Sequence, residues 1–242
     1  ACVGMRLNQQ VDADTGVPLQ IHHYNQESSM NIGSSTHEYI KAELNRDELA
    51  PSPFKQFEIW YKQACDSANI VHPNAMSLAT VSSQGTPTLR TVLLKMFDED
   101  GFIFFTNYES RKSRHIQDNP NVSILFLWKT LERQVTITGT ASKISTAESL
   151  KYFSTRPRGS QLGAWISDQS SVISSRKILE QKLQEIKNRF SSGKISLPSF
   201  WGGYRVVPKT IEFWQGRPSR LNDRFEYSLN DDLSWTIERL AP

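Results

Sequence analysis

The sequence predicts a mostly β protein of the α+β class, in which an antiparallel sheet closes into a barrel with helices at its periphery. Strand-like segments follow one another at hairpin spacing over residues 76–81, 89–97, 102–106, 121–128 and 133–144. Such a run is typical of antiparallel barrels. Segments with helix-capping signals or helical spacing of apolar residues lie before, between and after these strands.

The composition restricts the class of protein. The chain has 242 residues, of which 38% are hydrophobic and 22% charged, as in an ordinary globular protein. A net charge of +3 is too small to indicate nucleic-acid binding, and the apolar runs are too short to span a membrane. With two cysteines, Cys2 and Cys65, and no ligand spacing among the histidines, we expect no disulfide framework and no metal site. This inventory favours a cytoplasmic protein.

The N-terminal residues differ from the rest of the chain. Residues 1–29 are polar and lack periodicity, so we expect a flexible tail there. Residues 30–242 contain no repeat and no low-complexity linker, and they are expected to form a single domain. Ser52 and Pro53 signal the start of its first helix. The apolar side of that helix is predicted to hold Phe54, Phe57, Ile59, Trp60 and Ala64.

The second predicted strand, residues 89–97, carries two cationic side chains. Arg90 and Lys95 lie an odd number of positions apart, so strict alternation places them on opposite faces unless a bulge intervenes. A strand at the centre of an interface could then use both faces, one for each of two ligands.

One predicted helix, residues 110–119, has a basic first turn. Arg111 and Lys112 directly follow Ser110, so free backbone N–H groups, the helix dipole and two cationic side chains would converge there. This arrangement suits a phosphate, and a plain surface helix start is the alternative. A later helix is predicted over residues 176–190, where the apolar spacing indicates packing.

A second candidate phosphate site follows a capping box. Ser145 and Glu148 form the box, and the helix that they begin ends at Arg156, before a proline. Tyr152 and Arg156 are four residues apart and share a helix face, and Ser160 follows shortly after. A phenol, a guanidinium and a hydroxyl could cradle a phosphate, although an ordinary helix end explains them equally well.

The stretch 211–225 combines an indole with several polar side chains. If its second half is extended, alternation places Arg220, Asn222 and Arg224 on one face, beside Trp214. This face suits a flat anionic ligand, and a solvated hairpin end is the alternative. Gln134 is a further hydrogen-bonding group on a predicted strand. Because no nucleophile–base arrangement or nucleotide-binding loop is present, an enzyme with this inventory would delegate its chemistry to a cofactor.

Taken together, the motifs resemble those of the pyridoxamine/pyridoxine 5'-phosphate oxidases, FMN enzymes of the last step of vitamin B6 synthesis and salvage. The similarity runs from about residue 36 to residue 242, and residues 1–29 lie outside it. The matching motifs are R-T-V-L-L-K (90–95), F-T-N-Y-E-S-R-K (105–112), E-R-Q-V (132–135), K-Y-F-S-T-R-P-R-G-S-Q-L-G-A-W (151–165), Q-S-S (169–171), S-F-W-G-G-Y (199–204), E-F-W-Q-G (212–216), R-L-N-D-R-F (220–225) and E-R-L-A-P (238–242). So many long motifs in the family's order make chance similarity implausible.

The resemblance implies an FMN-binding split β-barrel and a homodimer with two FMN molecules in clefts between the subunits. By position, FMN would contact Arg90, Thr91, Val92, Leu93, Phe105, Thr106, Arg111, Lys112, Gln134, Gln169, Ser170, Trp214 and Arg224. The substrate's 5'-phosphate would be held by Lys95, Tyr152, Arg156 and Ser160. Arg220, Leu221 and Asn222 would lie near its pyridine ring, with Arg220 and Asn222 as catalytic residues, and Tyr39 would bind substrate from the N-terminal segment.

The implied reaction is the oxidation of pyridoxamine 5'-phosphate and pyridoxine 5'-phosphate by O2. It yields pyridoxal 5'-phosphate and hydrogen peroxide, with ammonia from the amine.

Two positions depart from the family pattern. Asn222 stands where the family usually has histidine, and Thr36 stands in a segment where an Arg-Arg-x-Tyr pattern is common. Asparagine keeps hydrogen-bonding capacity but does not titrate near neutral pH. We therefore expect intact FMN binding, with turnover or substrate closure weaker than in typical members of the family. The alternatives are a non-catalytic FMN or pyridoxal-phosphate binding protein and a flavin reductase of the same fold.

Overall fold

A computed structural model describes residues 38–166, 169–171 and 173–242, and residues 38–242 form one compact unit. The expected tail, residues 1–29, and Thr36 lie outside the described part. Among the described residues, no helix has the length and apolar character needed to cross a membrane. The α-helices of this part are α1 (Pro53–Asp66), α2 (Arg111–Asp118), α3 (Thr146–Thr155), α4 (Arg158–Ile166) and α5 (Arg176–Arg189).

The strands of the described residues form one antiparallel sheet. They are β1 (Ala75–Val81), β2 (Pro87–Leu93), β3 (Met96–Asp98), β4 (Gly101–Asn107), β5 (Asn121–Trp128), β6 (Arg133–Lys143), β7 (Trp201–Gln215), β8 (Asp223–Leu229) and β9 (Trp235–Arg239). The order across the sheet is β2-β1-β5-β6-β7-β4-β3, while β8 pairs with the second half of β7 and β9 with β8. The predicted mostly β, α+β class is confirmed.

The core lies between the sheet and α1 and is rich in aromatic side chains. Phe57 of α1 is fully buried, and its ring centroid lies 5.0 Å from those of Phe97 and Phe102 and 5.1 Å from that of Phe126. The burial pattern of β5 alternates strictly over most of its length, because every second side chain points into this core. The helix and the sheet are thus joined by direct aromatic packing.

The predicted apolar side of α1 is wrong at one position. Phe54, Phe57, Trp60 and Ala64 are buried as expected, but Ile59 is 39% exposed. At 3.6 residues per turn, the position two after Phe57 points to the opposite side of the helix. Gln56 is buried instead, and its Oε1 accepts the N–H of Ala50 at 3.0 Å.

The prediction of one strand over residues 89–97 is also wrong, because the strand is interrupted between the end of β2 and the start of β3. Leu94 donates its N–H to the Asn74 carbonyl at 2.9 Å, whereas Lys95 donates to the Ile103 carbonyl at 2.9 Å. The chain therefore leaves its partner β1 and joins β4 within two residues, and Leu94 is buried at this crossing. Strict alternation does not apply between Arg90 and Lys95.

The extended run predicted over residues 220–224 is not formed. Pro218–Arg220 is a 3-10 turn in which Ser219 and Arg220 have φ of 56° and 62°, and β8 begins only at Asp223. Arg220, Asn222 and Arg224 therefore do not share one face by strand alternation. The proline and the left-handed residues remove this stretch from the β7–β8 ladder. The helix α4 was not anticipated, while the predicted helices at 110–119, 145–156 and 176–190 are confirmed.

Removing the Phe57 ring is expected to weaken the core. Phe57→Ala should lower the free energy of unfolding by about 3–5 kcal/mol, since it leaves a cavity between α1 and the sheet. Chemical denaturation measures this loss. Ile59→Ala on the exposed side of α1 is the matched control, with an expected loss below about 1 kcal/mol. Equal losses in the two variants would contradict this assignment of the core.

Candidate active site

A cleft of about 680 Å³ lies beside β2 and the start of α2. It is lined by Thr88, Leu89, Arg90, Thr91, Val92, Leu93, Lys95, Phe105, Thr106, Arg111, Lys112, Gln169 and Ser170. Ten of the thirteen residues that the sequence suggested for FMN are in this set, and Lys95, suggested for the substrate, is there as well. We call it the large cleft.

The large cleft is strongly cationic. It contains Arg90, Arg111, Lys95 and Lys112, and none of the described residues that line it is a carboxylate. Burial, followed by the charge of Arg111, lowers the pKa of Arg90. Burial, followed by the charge of Arg90, lowers the pKa of Lys112 to about 8. In both groups burial is the larger cause of the shift and the neighbouring positive charge the second, and a bound anion would favour the protonated form of each.

Lys112 is held by uncharged oxygens. Its Nζ donates to Gln169 Oε1 at 2.8 Å, to Thr106 Oγ1 at 3.1 Å and to Ser110 Oγ at 3.2 Å. The lysine is 8% exposed. The start of α2 is tied to the same neighbouring segment, because the N–H of Arg111 donates to Ser170 Oγ at 3.3 Å. These acceptors orient the ammonium group without neutralising it.

Arg90 is fixed by the pairing of β1 with β2. Its Nη1 donates to the Leu78 carbonyl and to Thr80 Oγ1, each at 2.8 Å, and its Nη2 donates to Thr88 Oγ1. Leu78 lies opposite Arg90 and Thr80 opposite Thr88 in the register of these strands. The threonine pair therefore positions the guanidinium at the cleft wall before any ligand binds.

A smaller cleft of about 340 Å³ adjoins the large one. The two share Lys95, Phe105, Thr106 and Gln169. The rest of the small cleft is lined by Asn107, Tyr152, Arg156, Ser160, Gly163, Ala164 and Trp201. Lys95 lies in the interruption between β2 and β3, and from there it reaches both clefts. The four residues that the sequence suggested for the substrate phosphate are thus brought together here.

Arg156 is the most informative residue of the small cleft. Its Nη1 is buried and has no hydrogen-bond partner among the described residues, and burial lowers the pKa of its guanidinium. The guanidinium carbon lies 4.6 Å from the centroid of the Trp201 ring. A buried N–H donor without a partner is costly, so the geometry favours an anionic ligand at this point. Next to it, Tyr152 stacks on Phe105 with ring centroids 4.0 Å apart.

The remaining suggested residues line neither cleft. Gln134, Trp214 and Arg224 are neighbours across β6, β7 and β8. Arg224 pairs with Glu212 at 2.7 Å. Tyr39, Arg220, Leu221 and Asn222 lie at the same end of β7, where the Tyr39 and Trp214 rings meet edge to face at 5.6 Å. The structure therefore divides the suggested site into two groups within one chain.

Some lining residues had not been suggested from the sequence. Thr88, Leu89, Asn107 and Trp201 are among them, and Gly163 and Ala164 belong to the unanticipated helix α4. One signal for α4 was present, because Pro157 directly precedes it and Leu162, Trp165 and Ile166 are three and four residues apart.

Known proteins resemble the chain over most of its length. Residues 65–190 match a family model described as pyridoxamine 5'-phosphate oxidase, and residues 201–242 match one described as the pyridoxine 5'-phosphate oxidase C-terminal dimerisation region. Curated relatives named pyridoxine/pyridoxamine 5'-phosphate oxidase include one from Rippkaea orientalis, 63% identical over 88% of this chain and 100% of its own length. A second, from Crocosphaera subtropica, is 63% identical over the same shares.

Solved structures show the same fold. The crystal structure of PhzG from Burkholderia lata, in complex with tetrahydrophenazine-1-carboxylic acid, superimposes with a TM-score of 0.75 at 28% identity. It covers 81% of this chain and 95% of that chain. An FMN-binding protein from Nostoc punctiforme, related to pyridoxamine 5'-phosphate oxidase, reaches a TM-score of 0.64 at 19% identity. The predicted split-barrel architecture is confirmed.

The charge cluster of the large cleft has a measurable consequence at Lys112. In protein stripped of bound ligands, this lysine is expected to titrate near pH 8, and Arg90→Gln should raise that midpoint by removing a neighbouring positive charge. NMR of the lysine side-chain carbons measures the titration, and Lys112→Gln identifies the resonance. A midpoint at the ordinary lysine value of about 10.4 would contradict the assignment.

Proposed function

The chain belongs to the pyridoxamine 5'-phosphate oxidase family, and we propose that it oxidises pyridoxamine 5'-phosphate and pyridoxine 5'-phosphate to pyridoxal 5'-phosphate with FMN as its cofactor. The pair of adjoining clefts carries this proposal. Each contains cationic side chains, and none of the described residues lining either cleft is a carboxylate. Cofactor and substrate of such an enzyme each carry a phosphate, so two adjoining anion sites are what the reaction requires.

FMN fits the large cleft. Arg111, Lys112 and the first turn of α2 would hold its phosphate, since they combine two cationic side chains with the positive end of the helix dipole. Arg90–Leu93, Phe105, Thr106, Gln169 and Ser170 would supply the remaining contacts from this chain. The fit rests on the cluster of cationic side chains, which no carboxylate among the described lining residues compensates. Burial, followed by the charge of Arg90, lowers the pKa of Lys112 to about 8. A phosphate dianion would reverse that shift, because it favours the protonated lysine.

The small cleft would hold the 5'-phosphate of the substrate. Lys95, Tyr152, Arg156 and Ser160 would bind it, and the buried Nη1 of Arg156 would gain the partner that it lacks among the described residues. Because the two clefts share a wall that includes Phe105 and Lys95, a substrate anchored here is held next to the cofactor. Fixing two reactants side by side removes much of the entropic cost of bringing them together.

The redox chemistry would be supplied by FMN, which as cofactor would accept a hydride from the C4' carbon of the substrate and pass the electrons to O2 as hydrogen peroxide; with the amine substrate, water would then release ammonia. The residues of this chain would bind and orient the cofactor and the substrate and provide positive charge beside them. Arg90 is held in place by Leu78, Thr80 and Thr88, so it offers a fixed positive charge at the cleft wall. Such a preorganised charge stabilises negative charge that develops beside it without having to reorient.

We assign the second group of residues to the clefts of a partner subunit in a homodimer. This group comprises Tyr39, Gln134, Trp214, Arg220, Leu221, Asn222 and Arg224. The match of residues 201–242 to a dimerisation region supports the assignment, because Trp214 and residues 220–224 lie within it. Arg220 and Asn222 would then act near the reacting carbon, and Trp214 and Arg224 near FMN.

Purified protein tests the proposal directly. It is expected to be yellow, with a flavin spectrum, and to release hydrogen peroxide when either pyridoxamine 5'-phosphate or pyridoxine 5'-phosphate is added in air. Bound flavin without peroxide release would indicate a binding protein instead. A colourless protein that binds no added FMN would overturn the cofactor assignment as well.

Arg156 is expected to serve the substrate and not the cofactor. Arg156→Gln should raise KM for pyridoxamine 5'-phosphate about 10- to 100-fold, because a charge-assisted contact to phosphate is lost, while flavin content stays the same. Steady-state kinetics and the flavin-to-protein absorbance ratio check this. Lys151→Gln, an exposed change on α3, the helix that ends just before Arg156, is the control. An unchanged KM, or loss of FMN in Arg156→Gln, would contradict the assignment.

Asn222 carries the hypothesis of weakened turnover. Its Oδ1 accepts the N–H of Arg217 and its Nδ2 donates to the Arg220 carbonyl, each at 3.1 Å. Asn222→His is expected to raise kcat and to add a pH dependence near 6.5, because histidine titrates there and asparagine does not. The pH profile of kcat measures it. Equal kcat and superimposable profiles in the two proteins would show that this position does not limit turnover.

A further inference from the structure

A short segment near the start of the described chain lies against the turn that follows β7. We call residues 39–44 the N-terminal strap. We propose that Glu132 is a positioning residue for the reaction: its buried carboxylate holds the strap so that Tyr39 stays against Trp214. This inference rests on the proposed function, in which Tyr39 and Trp214 contact substrate and cofactor.

Glu132 has the geometry of an anchor. It is 3% exposed, and its Oε2 accepts the N–H groups of Ile40 at 2.9 Å and Lys41 at 3.0 Å. Lys41 Nζ also donates to the Thr130 carbonyl at 2.6 Å. Burying a carboxylate is costly unless strong donors satisfy it, and charge-assisted hydrogen bonds to backbone N–H groups are strong. The strap and Glu132 are 91 and 92 positions apart, so these contacts are tertiary.

The same residue is fixed on its other side to the end of β7. Glu132 adopts a left-handed conformation with φ of 56°, and its carbonyl accepts the N–H of Gly216 at 2.8 Å and Gln215 Nε2 at 3.2 Å. Its backbone therefore holds the residues that directly follow Trp214, while its side chain holds those that directly follow Tyr39. One residue sets the distance between the two segments.

Gly216 leaves room for the Tyr39 ring. A Cβ at this glycine would lie 2.6 Å from Tyr39 Cγ and 2.8 Å from its Cδ2. The ring thus occupies the space above the Gly216 backbone, where it meets Trp214 edge to face at 5.6 Å. The absence of a side chain at position 216 and the anchor at Glu132 favour the same placement of Tyr39.

The rest of the strap has its own anchors. Arg217 Nη1 donates to the Ala42 carbonyl at 3.3 Å and pairs with Glu43 at 2.7 Å. The N–H of Leu44 donates to Asp223 Oδ2 at 3.2 Å. A change at Glu132 should therefore release Tyr39, Ile40 and Lys41 and leave residues 42–44 in place. Glu132 therefore fixes the position of Tyr39 locally, and it is not needed to hold the fold as a whole.

Kinetics of the FMN-loaded protein test the proposal. Glu132→Gln and Glu132→Ala should raise KM for pyridoxamine 5'-phosphate, by about tenfold in the alanine variant, with flavin content unchanged. Gly216→Ala should raise KM in the same way, since it displaces the Tyr39 ring with Glu132 intact. Glu185→Gln, at an exposed position of α5, is the matched control. An unchanged KM in both Glu132→Ala and Gly216→Ala would overturn the proposal.

A double-mutant cycle separates positioning from general destabilisation. If Glu132 acts through Tyr39, then Glu132→Ala should change KM no further in a Tyr39→Ala background. Additive effects would overturn the proposal.

Limited trypsin digestion adds a readout that needs no turnover. Cleavage after Lys41 should be faster in Glu132→Ala than in Glu185→Gln, and equal rates would show that Glu132 does not hold the strap. If the unmodified protein releases no peroxide, the proposed function fails, whereas this digestion still decides whether the anchor exists.

Discussion

The long strand β7 is the constraint on which the rest of the structure depends. It pairs with β6 from Tyr204 to its end, with β4 through its first half and with β8 through its second half. Its first residues, beginning at Trp201, lie behind the small cleft, and a Cβ at Gly203 would come within 3.0 Å of the Phe105 ring. Its last residues carry Trp214 and lead into the turn that holds Arg220. One strand therefore supports the back of the cleft at one end and the second group of suggested residues at the other.

The strands and their register also determine where the cationic side chains of the clefts lie. The break between β2 and β3 turns Lys95 toward both clefts, while the β1–β2 register aligns Thr80 and Thr88 to hold Arg90. Lys112 is surrounded by neutral oxygens. These cations are oriented by backbone and hydroxyl groups, so their positive charge stays available to a ligand. Carboxylates at the same positions would have competed with a phosphate for these cations.

Local signals in the sequence predicted most of the fold, whereas the missed features depend on tertiary contacts. The capping box of Ser145 and Glu148 and the basic start of α2 were recognisable because they depend on near neighbours in the chain. The break at Leu94 was not, since it arises from the exchange of one partner strand for another. The positive φ of Ser219 and Arg220 was hidden for a related reason: neither residue type signals a left-handed conformation. The lack of a hydrogen-bond partner for Arg156 Nη1 among the described residues could not be predicted from the sequence, because it depends on how distant segments pack around this side chain.

A symmetric dimer would explain why the suggested residues fall into two separate groups within one chain. In an isologous interface the same surface is used twice, so one protomer can supply the clefts and receive the β7–β8 end of its partner, and the reverse holds at the other site. In that arrangement the second group, which includes Gln134, Trp214 and Arg224, does not have to lie near the clefts of its own chain. They need only a rigid relation to one another, which the β6–β7–β8 register provides. The same argument applies to the N-terminal strap. Because Glu132 binds both the strap and the residues after Trp214, it makes Tyr39 part of the same rigid surface. An active site assembled between subunits depends on each contributed surface being preorganised, and the anchors around β7 supply that order.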